Sequence, residues 1–313
     1  METLIKSQRI ISEISEQDAN LYIWADAFII DRKAQNLSPA TIKYYKEKLG
    51  PFLKYCERNL IKFVTQLTAN DIREYMLHLK DTGHNPGGCH SFFRVIRAFI
   101  NWWETEIEPD NWKNPFQKVK PPKVSVEPRD PVKIETIDSM LETCNSNTYY
   151  DVRDAALILM LADTGLRASE FLSVDLENID PIKGEITVIK TKSKKYRVAF
   201  LGKKSRKALR KYLRFKIANQ GPLWTKKNGE RLDYFGLRSL IRARAKKANV
   251  AGPSLHSFRR FFAIQCLRNG MDIFSLQTLM GLSDLQILRV YLKQSNEDIK
   301  NAHIRNGPID NIS

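Results

Sequence analysis

Five polar side chains follow one another along the C-terminal half of this 313-residue chain: Arg167 in "DTGLRASE", Lys192 in "KTKSKKYR", His256 and Arg259 in "HSFR", and Tyr291 closing "GLSDLQILRVY". A guanidinium is always charged and offers a rigid fork of N–H donors to a pair of anionic oxygens. An imidazole titrates near neutrality and can take up or pass on a proton, whereas a phenol, with a pKa of about 10, must shed one to attack. Taken singly, each residue also has an ordinary explanation. Arg167 follows a helix-stopping glycine and could cap carbonyls, Lys192 sits in a turn, and a tyrosine among apolar neighbours is usually core. His256 and Arg259 are three residues apart, which puts them on one side of a helix.

The elements that must hold these groups read as follows. Residues 15–113 are helical throughout and predict a small bundle of four helices. In "LSPATIKYYKEKLGPFLKYC", Ser38 is an N-cap and Pro39 the first helical residue, followed by Ile42, Tyr45, Leu49 and Phe52 at helical spacing. Thr68 and Asp71 form a capping-box pair ahead of Ile72, Tyr75 and Leu79. After the turn "GHNPGG" another helix carries Phe92, Ile96, Phe99 and Trp103 inward, with Arg94 and Arg97 on another face. Residues 114–131, "NPFQKVKPPKVSVEPRDP", gather five prolines with lysines and predict an extended linker between two domains. A second domain over 132–300 opens with mixed signals. "DVRDAALILMLADTG" predicts a buried helix stopped by Gly165, and "GEITVIK" and "KKYRVAFL" predict two strands joined by a lysine-rich turn. The fold class is therefore mainly α with a small antiparallel β-sheet, ending in a tail over 301–313.

Charge narrows the partners. The formal net charge is +16 and the isoelectric point about 9.6, more basic than solubility requires, so a polyanion is the expected partner and nucleic acid the first candidate. Lys190 to Arg214 holds twelve lysines and arginines and no acid, and Arg238, Arg242 and Lys246 repeat at four-residue steps. These, with Lys43, Arg94, Arg97, Lys194 and Lys195, are the candidate phosphate-contacting residues. The longest apolar run, "AALILMLA", is too short to span a bilayer, and the first ten residues lack a signal-peptide core, so a cytoplasmic, nucleoid-associated protein with no membrane partner is expected. Cys56, Cys89, Cys144 and Cys266 have neither disulfide-framework nor zinc spacing. No cofactor and no metal are expected, since no carboxylate cluster has metal-ligand spacing.

The order of the five residues resembles the tyrosine recombinase (phage integrase) family, Xer-type members included. That family places an arginine in T-G-L-R-x-S-E, a lysine in a β-hairpin turn, then H-x-x-R, then G-H-S and a tyrosine ten residues after the glycine. Here "TGLRASE", "TKSKKYR", "HSFR" and Gly281 to Tyr291 match in type, order and spacing. "LSPATIKYYKEKL" and "NPFQKVKPPK" also look like the family's core-binding, SAM-like DNA-binding domain and its linker, so the resemblance covers nearly the whole chain.

The resemblance implies cleavage and rejoining of DNA strands. Arg167 and Arg259 are expected to clamp the phosphoryl oxygens, with Tyr291 as nucleophile, His256 as proton acceptor or shuttle, and Lys192 as donor to the leaving 5′ hydroxyl. Glu170, one turn after Arg167, either orients that arginine or is a surface helix residue. The 3′-phosphotyrosyl product conserves the energy of the broken bond, so rejoining needs no nucleotide. Implied partners are a double-stranded recombination site and three further copies of the chain in a tetramer on two sites, passing through a Holliday junction. An accessory DNA-bending or directionality factor also fits. One position departs from the pattern: Leu282 stands where the family has histidine or tryptophan, and leucine donates no hydrogen bond. Alternatives are a type IB topoisomerase and a DNA-binding protein with impaired chemistry.

Overall fold

Each α-helix described in the N-terminal unit starts on a residue whose side chain accepts from its own first turn, which answers backbone donors a helix cannot satisfy internally. The computed structural model describes residues 20–124, 130–188, 196–216, 220–226, 228–282, 284, 285, 288, 300, 303, 304 and 309. Helix α1 (Leu21–Ala34) is capped by Asn20 and α2 (Pro39–Arg58) by Ser38. Helix α3 (Ala69–Asp81) has the reciprocal Thr68 and Asp71 pair, Thr68 N donating to Asp71 Oδ2 at 2.8 Å and Asp71 N to Thr68 Oγ1 at 3.3 Å. Helix α4 (Pro86–Ile107) is capped by Asn85, so Pro86, Gly87 and Gly88 of the expected turn form its first helical turn. Proline fits there because the missing N–H is one that no helix start can pair internally.

The four helices close over aromatic rings. Trp24, Phe28, Phe52, Tyr75, Phe99 and Trp103 are fully buried, and Phe28 meets Phe99 edge to face at 5.6 Å. The start of the expected linker is not extended. Pro115–Lys118 is a 3₁₀ turn capped by Asn114, whose amide also donates to Asn101 at 2.9 Å and Glu104 at 2.6 Å. Phe116 is buried against Phe93, and Arg73 donates to the Lys118 carbonyl at 3.0 Å. One turn is too short to show a helical period in sequence, and the apolar ring decides the outcome by docking. The chain divides into two compact units between residues 126 and 127.

The second unit is built on α6 (Tyr149–Thr164), against which α5 (Ile134–Glu142), α8 (Lys203–Leu213) and α10 (Leu255–Arg268) pack. Three antiparallel strands follow the short α7 (Ala168–Leu172): β1 (Ile179–Asp180), β2 (Glu185–Val188) and β3 (Arg197–Phe200), in the order β1-β2-β3 with Ile186 opposite Ala199. Two of these strands match the expected hairpin, and β1 is a two-residue addition too short to leave a pattern. Helices α9 (Tyr234–Lys247) and α11 (Ile273–Met280) also belong to this unit. Phe171, Trp224 and Tyr212 stack in its core with ring centroids 5.0 and 5.4 Å apart. The architecture is mainly helical with one small antiparallel sheet.

Helix α6 is buried over most of its surface, and that includes three charged residues of its first half. Asp151, Arg153 and Asp154 are satisfied internally: the buried Arg244 of α9 reaches Asp151 Oδ1 at 2.7 Å and Asp154 Oδ2 at 2.6 Å, and Arg153 pairs with Asp154 at 2.8 Å. Buried charges are tolerated because each has a partner.

Candidate active site

The site is organised by two helix ends. Helix α6 stops at Gly165 with φ 59°, a left-handed conformation that favours glycine. A Cβ there would sit 2.3 Å from the Phe262 ring of α10, so the glycine also permits the close approach of these two elements. That approach brings Arg259 of α10 within 2.6 Å of the Gly165 carbonyl through Nη1.

Helix α11 stops at Gly281, with φ 60°. Its last carbonyls carry the partial negative charge of the helix C-terminus and have no partner further along the helix. Three arginines from three different elements meet them. Arg197 of β3 donates from Nη1 to Leu279 O, Arg259 donates from Nη2 to Met280 O at 2.8 Å, and Arg167 donates from Nη2 to Gly281 O at 3.2 Å. Cations at a helix C-terminus are favoured, and here the backbone fixes three guanidiniums in a row. Arg167, at the N-cap of α7, and Arg259, on α10, are thus brought together, although 92 residues apart in sequence number.

Glu170 joins the row from behind. It is 3% exposed, so the reading of Glu170 as a surface helix residue is corrected. Its Oε1 accepts from Arg167 Nη1 at 2.9 Å, and its Oε2 accepts from Arg197 Nη2 at 2.7 Å and from the Arg167 backbone N–H at 2.9 Å. Burial by itself raises the carboxyl pKa, but the Arg167 N–H and the Arg197 and Arg167 guanidiniums outweigh it and hold the group below the usual carboxylate range. The charged form is the one the site is built around.

Exposure separates the members. Arg259 is 3% exposed, while the Arg167 side chain is 41% exposed. His256, in the first turn of α10 after the Ser254 cap, is exposed although Arg259 in the same turn is buried. A guanidinium carries five N–H donors, so the exposed Arg167, held on one carboxylate and one carbonyl, keeps donors for an anion. Lys192 and Tyr291 lie outside the described residues, as do Lys194 and Lys195. Leu282 is 8% exposed and packs with Ala263, Leu276, Met280 and Leu288, so the residue that replaces the family's donor contributes to a small core.

Sequence reasoning missed Arg197. It did carry a signal: on β3 it shares the inward parity of buried Ala199, while Val198 and Phe200 are exposed. An arginine on the buried side of a strand needs an acidic or carbonyl partner.

The remaining basic candidates fall into separate groups. Arg94 and Arg97 are exposed on α4 and line a hollow of about 430 Å³ with Tyr44 and His90. Lys43 does not line it and faces Glu47 at 3.8 Å. Arg238, Arg242 and Lys246 are all exposed on α9, and Arg242 and Lys246 line a second open hollow. Among the described residues no group of three His, Cys, Asp or Glu is placed to hold a metal, and no helix is long and apolar enough to cross a membrane.

Known proteins are similar to this chain along most of its length. It is 28% identical over 283 residues to tyrosine recombinase XerC of Leptospira interrogans, covering 88% of this chain and 89% of that protein. It is 26% identical to tyrosine recombinase XerD of Staphylococcus epidermidis, covering 88% and 94%. Among solved structures, the Tn1549 transposon integrase in complex with transposon right end DNA aligns with a TM-score of 0.72 at 18% identity, covering 91% of this chain and 99% of that one. XerH site-specific recombinase bound to palindromic difH substrate aligns at 0.68 and 16%, covering 89% and 82%. These structural likenesses concern the fold. The phage integrase N-terminal SAM-like domain matches residues 24–106 and the phage integrase family matches residues 132–298. With more than half of its length matched by the latter, the chain belongs to the phage integrase family.

Proposed function

We propose that the chain is a site-specific DNA recombinase that cuts and rejoins strands through a 3′-phosphotyrosyl intermediate. The observation that carries this reading is the seating of Arg167 and Arg259 on the consecutive carbonyls of Gly281 and Met280, at the start of the segment that leads to Tyr291. Two fixed guanidiniums side by side are what a pentacoordinate phosphorane needs to hold its equatorial charge. In this reading the Tyr291 phenolate attacks phosphorus and the 5′ oxygen leaves. His256, exposed beside Arg259, takes the phenol proton, and Lys192 protonates the leaving oxygen. The phosphotyrosyl ester is then attacked by a 5′ hydroxyl of another strand, which restores the diester and releases tyrosine. Membership of the family and the recombinase relatives support this over DNA relaxation by a topoisomerase.

The same reading assigns further features. Residues 15–113 form a DNA-binding bundle, residues 132–300 the catalytic domain, and residues 301–313 a tail that packs on a neighbouring copy. Four copies act on two double-stranded sites through a Holliday junction, in the cytoplasm on nucleoid DNA, and an accessory DNA-bending or directionality factor selects the direction. Arg94, Arg97, Arg238, Arg242 and Lys246 contact phosphates.

The test is direct. Wild-type protein incubated with genomic fragments and trapped by denaturation should yield covalent complexes whose DNA, once sequenced, shares one site. On that site carried by a nicked duplex, Tyr291→Phe should bind as the wild type does and form no adduct. Adducts formed by Tyr291→Phe, or none formed by the wild type, would refute the proposal.

A further inference from the structure

We infer that Arg197 is a positioning residue for strand cleavage, acting on Arg167 through the Glu170 carboxylate and the C-terminus of α11. The inference rests on the recombinase reading above. Three observations carry it. Arg197 is 8% exposed in its side chain against 41% for Arg167, so it is a buried support beside the more exposed arginine. It shares one carboxylate with Arg167: Glu170 holds Arg197 Nη2 on Oε2 at 2.7 Å and Arg167 Nη1 on Oε1 at 2.9 Å. And it grips the helix end that Arg167 and Arg259 also use, donating to Leu279 O, one carbonyl before the partner of Arg259.

Fit at this point is tight. A Cβ on Gly281 would lie 2.9 Å from both Cδ and Nε of Arg197, so the Gly281 backbone is laid directly against the arginine stem. Arg167 bonds that same residue's carbonyl at 3.2 Å. Moving Arg197 therefore displaces both supports of Arg167 at once, its carboxylate and its carbonyl. Arg197 also begins β3, five residues after Lys192 in sequence, so one buried guanidinium ties that strand to the proposed clamp. Lysine cannot substitute, because one ammonium cannot span a carboxylate and a carbonyl in the planar fork geometry.

A purely structural role is separated from positioning by a double-mutant cycle on the adduct-forming rate at saturating DNA. Arg197→Ala and Arg197→Lys should each slow adduct formation about 10- to 100-fold, as expected for misplacement of a catalytic group by about 1 Å, with DNA affinity within about twofold of wild type. In an Arg167→Lys background the same substitutions should slow the rate by less than about threefold, because the group they position is already gone. Arg197→Lys keeps a charge in the pocket and serves where Arg197→Ala does not fold. Wild-type rates in both Arg197 variants, or equal losses in both backgrounds, overturn the inference while leaving the recombinase reading intact. A wild type that forms no adduct at all overturns the reading, and the inference with it.

Discussion

Replacing Glu170 by glutamine keeps the shape of the side chain and removes its charge, so the consequences can be followed bond by bond. The carboxylate accepts three hydrogen bonds, two on Oε2 from Arg197 and the Arg167 backbone and one on Oε1 from the Arg167 guanidinium. An amide has one acceptor end and one donor end. The orientation that saves more bonds points the amide oxygen at the Oε2 position, which leaves the amide nitrogen facing Arg167 Nη1, donor against donor. Arg167 is therefore released first. A lost hydrogen bond between charged partners costs about 1.5–3 kcal/mol, and an uncompensated buried charge up to about 3–5 kcal/mol. Because Arg197 keeps one acceptor, the upper part of the lower range applies, about 2–3 kcal/mol. For a unit of this size each kcal/mol lowers the melting temperature by about 2–4 °C, so Glu170→Gln should melt about 4–12 °C below wild type at pH 7. The pH dependence provides the sharper check. The folded-state pKa of Glu170 is depressed, so its contribution is fully present above the unfolded value of about 4.5 and is lost as pH falls through the folded value. The gap between wild type and Glu170→Gln, followed by thermal melting in steps from pH 7 to pH 3, should hold above about pH 5 and shrink below it. A gap of constant size down to pH 3, or no gap at pH 7, would refute the account of Glu170 as a charged hub.

Gly165→Ala should lose more than about 2 kcal/mol and most adduct formation, since it combines a left-handed φ of 59° with a Cβ 2.3 Å from the Phe262 ring. Gly83→Ala, with φ 85° and open space around it, should lose only about 1 kcal/mol; equal melting shifts for the two would sink the close-packing argument. Leu282→His restores a donor at the family's usual position and should raise the adduct-forming rate, while melting a few degrees lower because an apolar group leaves the small core. A rate that is unchanged or lower shows that position 282 contributes packing alone. Changing Arg238, Arg242 and Lys246 together to alanine should reduce the slope of log affinity against log salt by about 2–3, at about 0.9 per phosphate contact, in an anisotropy titration over several salt concentrations. An unaltered slope removes that face of α9 from the DNA interface.

Much of this molecule is decided locally and was therefore legible in the chain. Ser38 with Pro39, Thr68 with Asp71, and Gly165 act within a turn of their own position, so their residue types announce where helices begin and end. The order Arg167, Lys192, His256, Arg259 and Tyr291 likewise names a family without any coordinates. What sequence could not settle is which groups meet. Glu170 reads equally as a surface residue until β3 places Arg197 against it, and Arg197 reads as one more cation in a basic run. The docking of Phe116 on Phe93 converts part of a proline-rich linker into a packed turn. The physical reason is the same in each case: capping and periodicity depend on neighbours within a few residues, whereas the seating of three arginines on the last carbonyls of α11 depends on strands and helices up to 114 positions apart coming to rest on one another.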